Sequence, residues 1–219
     1  MPVRRRKTLL LDLDGTLVDP AEGIVGCVRY ALERMAAPVA AGEDLTWVIG
    51  PSIRFSFARL LDERAGLTGA DVVEAAVAHY RERYVAWGLT AATPYAGVHD
   101  VLARRRAAGD RLILCTAKAQ PLAERVAAHF GFAGLLDAVY GPDLDGRLEH
   151  KADLMAHLLA AEGIDPEEAT MVGDREHDIL AARANGVASI GVLWGYGGRE
   201  ELEAAGADLI IARPEDLLG

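Results

Sequence analysis

Short runs rich in Leu, Ile and Val return along the chain, separated by stretches of helical periodicity, and this alternation constrains the fold more than any other feature. The apolar runs occupy residues 8–13, 111–116, 170–172, 189–193 and 209–211. A strand buried on both faces carries apolar residues almost without interruption, so these runs are expected to be parallel strands inside a sheet covered by helices. Helical stretches are expected over residues 98–108, 122–130, 152–162 and 179–184. Each is followed by a glycine that can end it in the left-handed conformation: Gly109, Gly131, Gly163 and Gly186. Alternating strand and helix implies an α/β fold, a doubly wound parallel sheet.

The interval from residue 20 to 93 breaks this rhythm. It contains no buried strand pattern, only helical stretches over residues 24–35, 53–61 and 71–87, separated by Gly and Pro positions. The expected organisation is therefore a core domain of residues 1–19 and 94–219 with an all-helical cap domain over residues 20–93. Because the insertion follows the first strand and its loop, it is expected over the carboxyl ends of the strands, where open sheets bind ligands.

Composition excludes several classes of partner. Of the 219 residues, 51% are hydrophobic, enough to bury a substantial core. A formal net charge of -10 opposes binding to a nucleic acid polymer, and the run Arg104, Arg105, Arg106 sits among alanines in a helical pattern rather than in a basic stripe. The cluster Arg4, Arg5, Arg6, Lys7 reads as a solvated terminus. No segment reads as a signal peptide or a membrane span. The two cysteines, Cys27 and Cys115, match no metal-ligand spacing and are expected to be buried reduced thiols, which suits a cytoplasmic protein without a membrane partner. Either a monomer or a homodimer is compatible with the sequence.

The strongest chemical signal is Asp12-Leu13-Asp14-Gly15-Thr16-Leu17 at the end of the first expected strand. Two carboxylates at i and i+2 leave the same face of an extended segment, and Gly15 lets the backbone turn so that its amides approach an anion. Such a pair can divide the work of nucleophile and acid/base. A strand-to-loop turn also uses Asp and Gly, but it does not require two acids at the end of an apolar strand. The second signal, Gly173-Asp174-Arg175-Glu176-His177-Asp178, follows another apolar run. Asp178 falls one helical turn after Asp174, where it could brace it; the alternative is that Asp174 simply caps the helix beginning near Glu176. His177 is read as facing solvent. Thr116 ends a strand and Lys151 opens a helix after the loop 141–150. Alone, these read as a turn residue and a solvated lysine; with the acidic motifs they complete a phosphate site.

These four stations, each at a strand end and in this order, resemble the haloacid dehalogenase superfamily of phosphotransferases. The likeness is greatest to the phosphoglycolate-phosphatase-like branch, which carries a small helical cap after the first motif. Ile49-Gly50-Pro51 with Arg54, Thr116-Ala117-Lys118, and the stretch from Gly191 through Trp194, Gly195, Tyr196 and Gly197 also match that branch, whereas Pro20 and Ala119 depart from it.

The resemblance implies an Mg2+-dependent phosphatase acting on a small phosphorylated metabolite. Asp12 is then the nucleophile, forming a phospho-aspartyl intermediate. The metal is held by the Asp12 carboxylate, the Asp14 backbone carbonyl and the Asp174 carboxylate, with Asp178 bracing these ligands or binding through water. Asp14 is implied as general acid and then base; dehalogenases of the superfamily lack it, which favours phosphoryl transfer. Thr116 and the Gly15 region would donate to phosphoryl oxygens, and Lys151 would add positive charge. A carboxylate approaching a phosphate dianion meets repulsion of about 4 kcal/mol per charge pair at an effective dielectric near 20, so cations are required. Mg2+ suits an all-oxygen site. Arg54 and Lys118 are candidate substrate contacts, each with the alternative of an ordinary surface residue. Phosphoglycolate and nucleoside monophosphates lead the candidate esters. The competing readings are a phosphomutase of the same superfamily, a receiver-like signalling domain, and a phosphate-binding protein without turnover.

Overall fold

A computed structural model describes residues 7–218. The stretch Arg4, Arg5 and Arg6 lies outside the described residues; Lys7, which follows it, is exposed. The chain forms two compact units: one comprises the residues up to Asp19 and those from Pro94 onward, the other is Pro20–Thr93.

The larger unit is built on a six-stranded parallel sheet. Its strands are β1 (Thr8–Leu11), β4 (Arg111–Cys115), β5 (Ala138–Tyr140), β6 (Ala169–Gly173), β7 (Ala188–Val192) and β8 (Leu209–Ile211). Two residue pairs, β2 (Val18–Asp19) and β3 (Thr93–Pro94), form a separate short ribbon where the chain leaves this unit and returns to it. In space the large sheet runs β5-β4-β1-β6-β7-β8. The chain works outward from β1 to one edge and then resumes on its other side, so the order reverses beside β1. At such a switch point the loops leaving neighbouring strands diverge and open a crevice.

Register brings the strand ends together. Leu11 lies opposite both Leu114 of β4 and Val172 of β6, so the residues that follow these strands emerge side by side. All four residues of β1 are buried, as are Leu112 to Cys115 of β4 and the whole of β6. Their side chains alternate between faces. Leu10, Ile113 and Met171 pack against Leu154, Met155 and Leu158 of α6 (Lys151–Glu162) and Ala181 and Ala182 of α7 (Glu176–Ala184). Burying a leucine side chain contributes about 1.5–3 kcal/mol, so the three central strands form the most strongly held part of the unit. The expected stop glycines all adopt positive φ, from 61° at Gly163 to 83° at Gly109.

Two elements are not marked by the runs in the sequence. The edge strand β5 is only partly buried and three residues long, so it leaves no apolar run. The helix α8 (Arg199–Ala205) is seven residues of mostly polar sequence held through Leu202 and Ala205. Two further helices, α4 (Val98–Ala107) and α5 (Gln120–His129), lie on either side of β4 in sequence.

The smaller unit contains α1 (Ala21–Arg34), α2 (Ile53–Ala65) and α3 (Ala70–Arg83). The pattern predicting one helix over residues 71–87 breaks after Arg83, where Tyr84–Gly88 widens into a π turn closed by the Leu89 N–H donating to the Tyr84 carbonyl at 2.8 Å. Packing against α1 explains the position. A Cβ on Gly88 would stand 2.6 Å from Cys27 Sγ, and one on Gly23 would strike the Gly88 carbonyl, so the two segments meet through glycines.

Candidate active site

Each sequence motif of the larger unit ends at the crevice beside β1. The chain turns at Asp12, whose N–H donates to the Val172 carbonyl at 2.9 Å, and the next residues curl back with the Leu17 N–H on the Leu13 carbonyl. Gly15 adopts a φ of 85°, and any side chain there would occupy the space of the Asp174 carboxylate. The glycine is needed twice over, for its backbone conformation and for the close approach.

Four carboxylates and two ammonium groups converge here in nearly complete burial. Lys151 Nζ stands 2.8 Å from Asp12 Oδ1 and also pairs with Asp178. Lys118 Nζ stands 2.6 Å from Asp14 Oδ2, and its side chain is only 6% exposed. Neither lysine is solvated, so the surface alternative fails for both. Asp174 is fully buried; its Oδ2 accepts from the Tyr196 N–H at 2.8 Å and its Oδ1 from the Thr16 hydroxyl at 3.3 Å. The helix that follows is capped by Asp178, which accepts from the Arg175 N–H at 3.1 Å, so Asp174 is spared that task. Thr116 is buried at the end of β4, its Oγ1 accepting from the Lys118 N–H at 3.3 Å. His177, read as facing solvent, is half-buried.

Burial sets the electrostatics. It pushes the Asp14 carboxyl up, against the opposing pull of Lys118. Burial, reinforced by Asp178 and Asp12, pushes Asp174 up to about 8. Burial also raises Asp178, with Lys151 opposing. For Lys151 burial acts downward, but the carboxylates of Asp12 and Asp178 outweigh it and hold the ammonium charged. Oδ1 of Asp14 is buried without a hydrogen-bond partner, a condition that native carboxylates rarely sustain unless something else occupies the site.

The donor set fits a divalent cation. Asp12, Asp174 and Asp178 each offer a buried oxygen, all within 4.8 Å of one another. An octahedral ion with bonds near 2.1 Å places opposite ligands about 4.2 Å apart, comparable to that span. Asp12, Asp14, Asp174 and Asp178 when ionised carry two more negative charges than Lys118 and Lys151 balance. A 2+ ion removes that excess, and hard oxygen donors are those that Mg2+ prefers.

Two expected or quoted features stand apart from these roles. Arg54 belongs to the smaller unit, where its guanidinium pairs with Glu74 through Nε and donates from Nη2 at 3.2 Å. The loop after β7 carries residues to which sequence reasoning attached no role. Trp194 Nε1 donates to the Thr16 carbonyl at 3.0 Å, and Gly195 and Gly197 have no room for a side chain beside Gly15 and Asp174. Glu201 Oε1 accepts from Arg175 Nε at 2.9 Å and from the Glu176 N–H at 2.8 Å. The spacing of glycines around Trp194 and Tyr196, just after a strand, is the signal that pointed to this loop.

Four acids, two lysines and a threonine thus meet at the switch point of a parallel sheet, and residues 6–186 match the haloacid dehalogenase-like hydrolases, to which this chain belongs. Within it the chain is a phosphatase of the phosphoglycolate-phosphatase-like group. It is 40% identical to a 5'-nucleotidase of Pseudomonas aeruginosa over 91% of this chain and 88% of that protein. It is 32% identical to a phosphoglycolate phosphatase of Caulobacter vibrioides over 93% of this chain and 86% of that one. A tyrosine-protein kinase, PtkA of Mycobacterium tuberculosis, is 39% identical over 90% of this chain, which spans 65% of the kinase. Among solved structures, a predicted phosphatase from Clostridium acetobutylicum superposes with a TM-score of 0.90 at 32% identity, covering 97% of this chain and 96% of that one. No helix among the described residues is long and apolar enough to cross a membrane.

Proposed function

We propose that this phosphatase is Mg2+-dependent and hydrolyses a small phosphate monoester, a nucleoside monophosphate or a phosphoglycolate-like acid, through a phospho-aspartyl intermediate on Asp12. The observation that carries this reading is the buried Asp12, whose carboxylate faces Lys151 Nζ at 2.8 Å beside a second, separately paired acid. Bound Mg2+, held by Asp12, Asp174, the Asp14 carbonyl and Asp178 directly or through water, would supply positive charge against the phosphoryl group.

The residues of the chain do the rest. An oxygen of Asp12 attacks phosphorus and the bond from phosphorus to the ester oxygen breaks. Asp14 gives its proton to the departing alkoxide; the upward push that burial gives its carboxyl favours holding that proton. Lys151 and the Thr116 hydroxyl are placed to steady the phosphoryl oxygens as charge moves onto them. Asp14, now ionised, takes a proton from water as the water attacks the phosphorus of the acyl phosphate. Phosphate leaves and Asp12 is regenerated.

The core recognises only the phosphoryl group, so the inserted unit Pro20–Thr93 is assigned the reading of the rest of the substrate. We rank nucleoside monophosphates first, a reading supported by the 40% identity to a 5'-nucleotidase against 32% to a phosphoglycolate phosphatase. The test is phosphate release from both ester classes with Mg2+ or with excess chelator. Turnover that survives chelation removes the metal from the mechanism. Product that appears as a re-phosphorylated ester, with no free phosphate over many turnovers, replaces hydrolysis by a mutase reaction.

A further inference from the structure

The loop of residues 193–198 supports Asp174 by main-chain contact, and main chain flanked by glycines holds its path only if side chains pin it. Gly195 and Gly197 press against Asp174, and the Tyr196 N–H between them donates to Asp174 Oδ2 at 2.8 Å. The same tyrosine's hydroxyl donates to Asp19 Oδ1, and the Tyr95 phenol lies close to it. Asp19 is the last residue before the chain leaves the α/β unit, and Tyr95 lies just after its return. The Tyr95 N–H donates to the Leu17 carbonyl at 3.1 Å, so the return crossing is tied to the loop that carries Asp12 and Asp14.

We propose that Tyr196 is a positioning residue for the metal centre: its amide fixes the Asp174 carboxylate, and its hydroxyl, held by Asp19, fixes the amide. This rests on the Mg2+ reading above and adds to it a line of hydrogen bonds from the chain crossings to a ligand. Outer partners of a metal ligand orient it and hold its electron density toward the ion. The tether does so for Asp174 at one oxygen, while Trp194, through the Thr16 carbonyl, steadies the residue whose hydroxyl holds the other. Nothing in this role needs Tyr196 to touch a substrate.

The experiment is isothermal titration of Mg2+ into the full chain without substrate, for wild type, Tyr196→Phe, Asp19→Ala, Asp19→Asn and the Tyr196→Phe/Asp19→Ala pair. Tyr196→Phe and Asp19→Ala should each weaken Mg2+ binding about tenfold, the lower end of what outer-shell changes cost. The double variant should bind no more weakly than either single one, because both cut the same tether. Asp19→Asn keeps an oxygen acceptor for the phenol and should bind like wild type, which a loss through misfolding would not spare. Wild-type affinity in Tyr196→Phe, multiplied losses in the double variant, or equal losses in Asp19→Asn and Asp19→Ala would each overturn the proposal while leaving the Mg2+ reading in place. A wild type that binds no Mg2+ would overturn both.

Discussion

Lys151 pairs with two acids at once. Its ammonium is the counter-charge of two buried acids, Asp12 and Asp178, in a cluster that already has an excess of carboxylates. Replacing it by Met keeps the volume but leaves both acids without their cation. Breaking a buried pair from one side typically costs about 3–5 kcal/mol. Lys151→Met should therefore lower the unfolding free energy read from urea denaturation in chelator by roughly that amount, and Mg2+ should restore part of it. A midpoint unchanged in chelator would mean that the acids are neutral in the folded protein and that Lys151 serves packing alone. Thr116 and Lys151 show how residue-scale function hides in sequence. Each is an ordinary residue for its place, and only the acids that the strand ends bring beside them suggest the role proposed for them.

At the scale of elements, the contact between α1 and the π turn has the tightest tolerance in the smaller unit. A methyl group on Gly23 collides with the Gly88 carbonyl, whereas Gly134, in the larger unit, has open space around it and an ordinary φ. Overpacking of this kind costs about 1–3 kcal/mol. Gly23→Ala should destabilise by that amount in chemical denaturation and Gly134→Ala should not; equal effects would contradict the close packing. The π turn itself was not readable, because helical periodicity continues through Tyr84 and Trp87 while the glycine contact that widens the helix comes from a segment some sixty residues earlier. The same reasoning separates the legible strands from the illegible one. β1, β4 and β6 are buried on both faces and leave unbroken apolar runs, but β5 is an edge strand with partly exposed residues and leaves none. Asp12, Asp14 and Asp174 were legible because acids at the ends of apolar strands need a reason. Tyr196 was present in a quoted motif, but its hydrogen bond to Asp19 spans most of the chain and no local pattern encodes it.

For the whole molecule, the division into two units has a convenient reporter, since Cys27 lies in one and Cys115 in the other, both buried. Burial pushes the Cys115 thiol up to about 12, so near pH 8 it is protonated as well as shielded and should not react until its unit opens. Labelling by a thiol reagent in native buffer should be slow at both residues, with a separate rate for each if the units open independently. Complete labelling within the mixing time would contradict the core packing. The central claim is chemical, that phosphate passes through Asp12. Its most direct test is to mix enzyme with its preferred ester and Mg2+, quench in acid during turnover, reduce with borohydride and map the peptides by mass. An acyl phosphate on Asp12 is reduced to homoserine at position 12, and the account predicts that product, absent without substrate and absent in Asp12→Asn. Unmodified Asp12 in a turning-over enzyme, together with retained turnover in Asp12→Asn, would contradict it and leave direct attack by water as the mechanism.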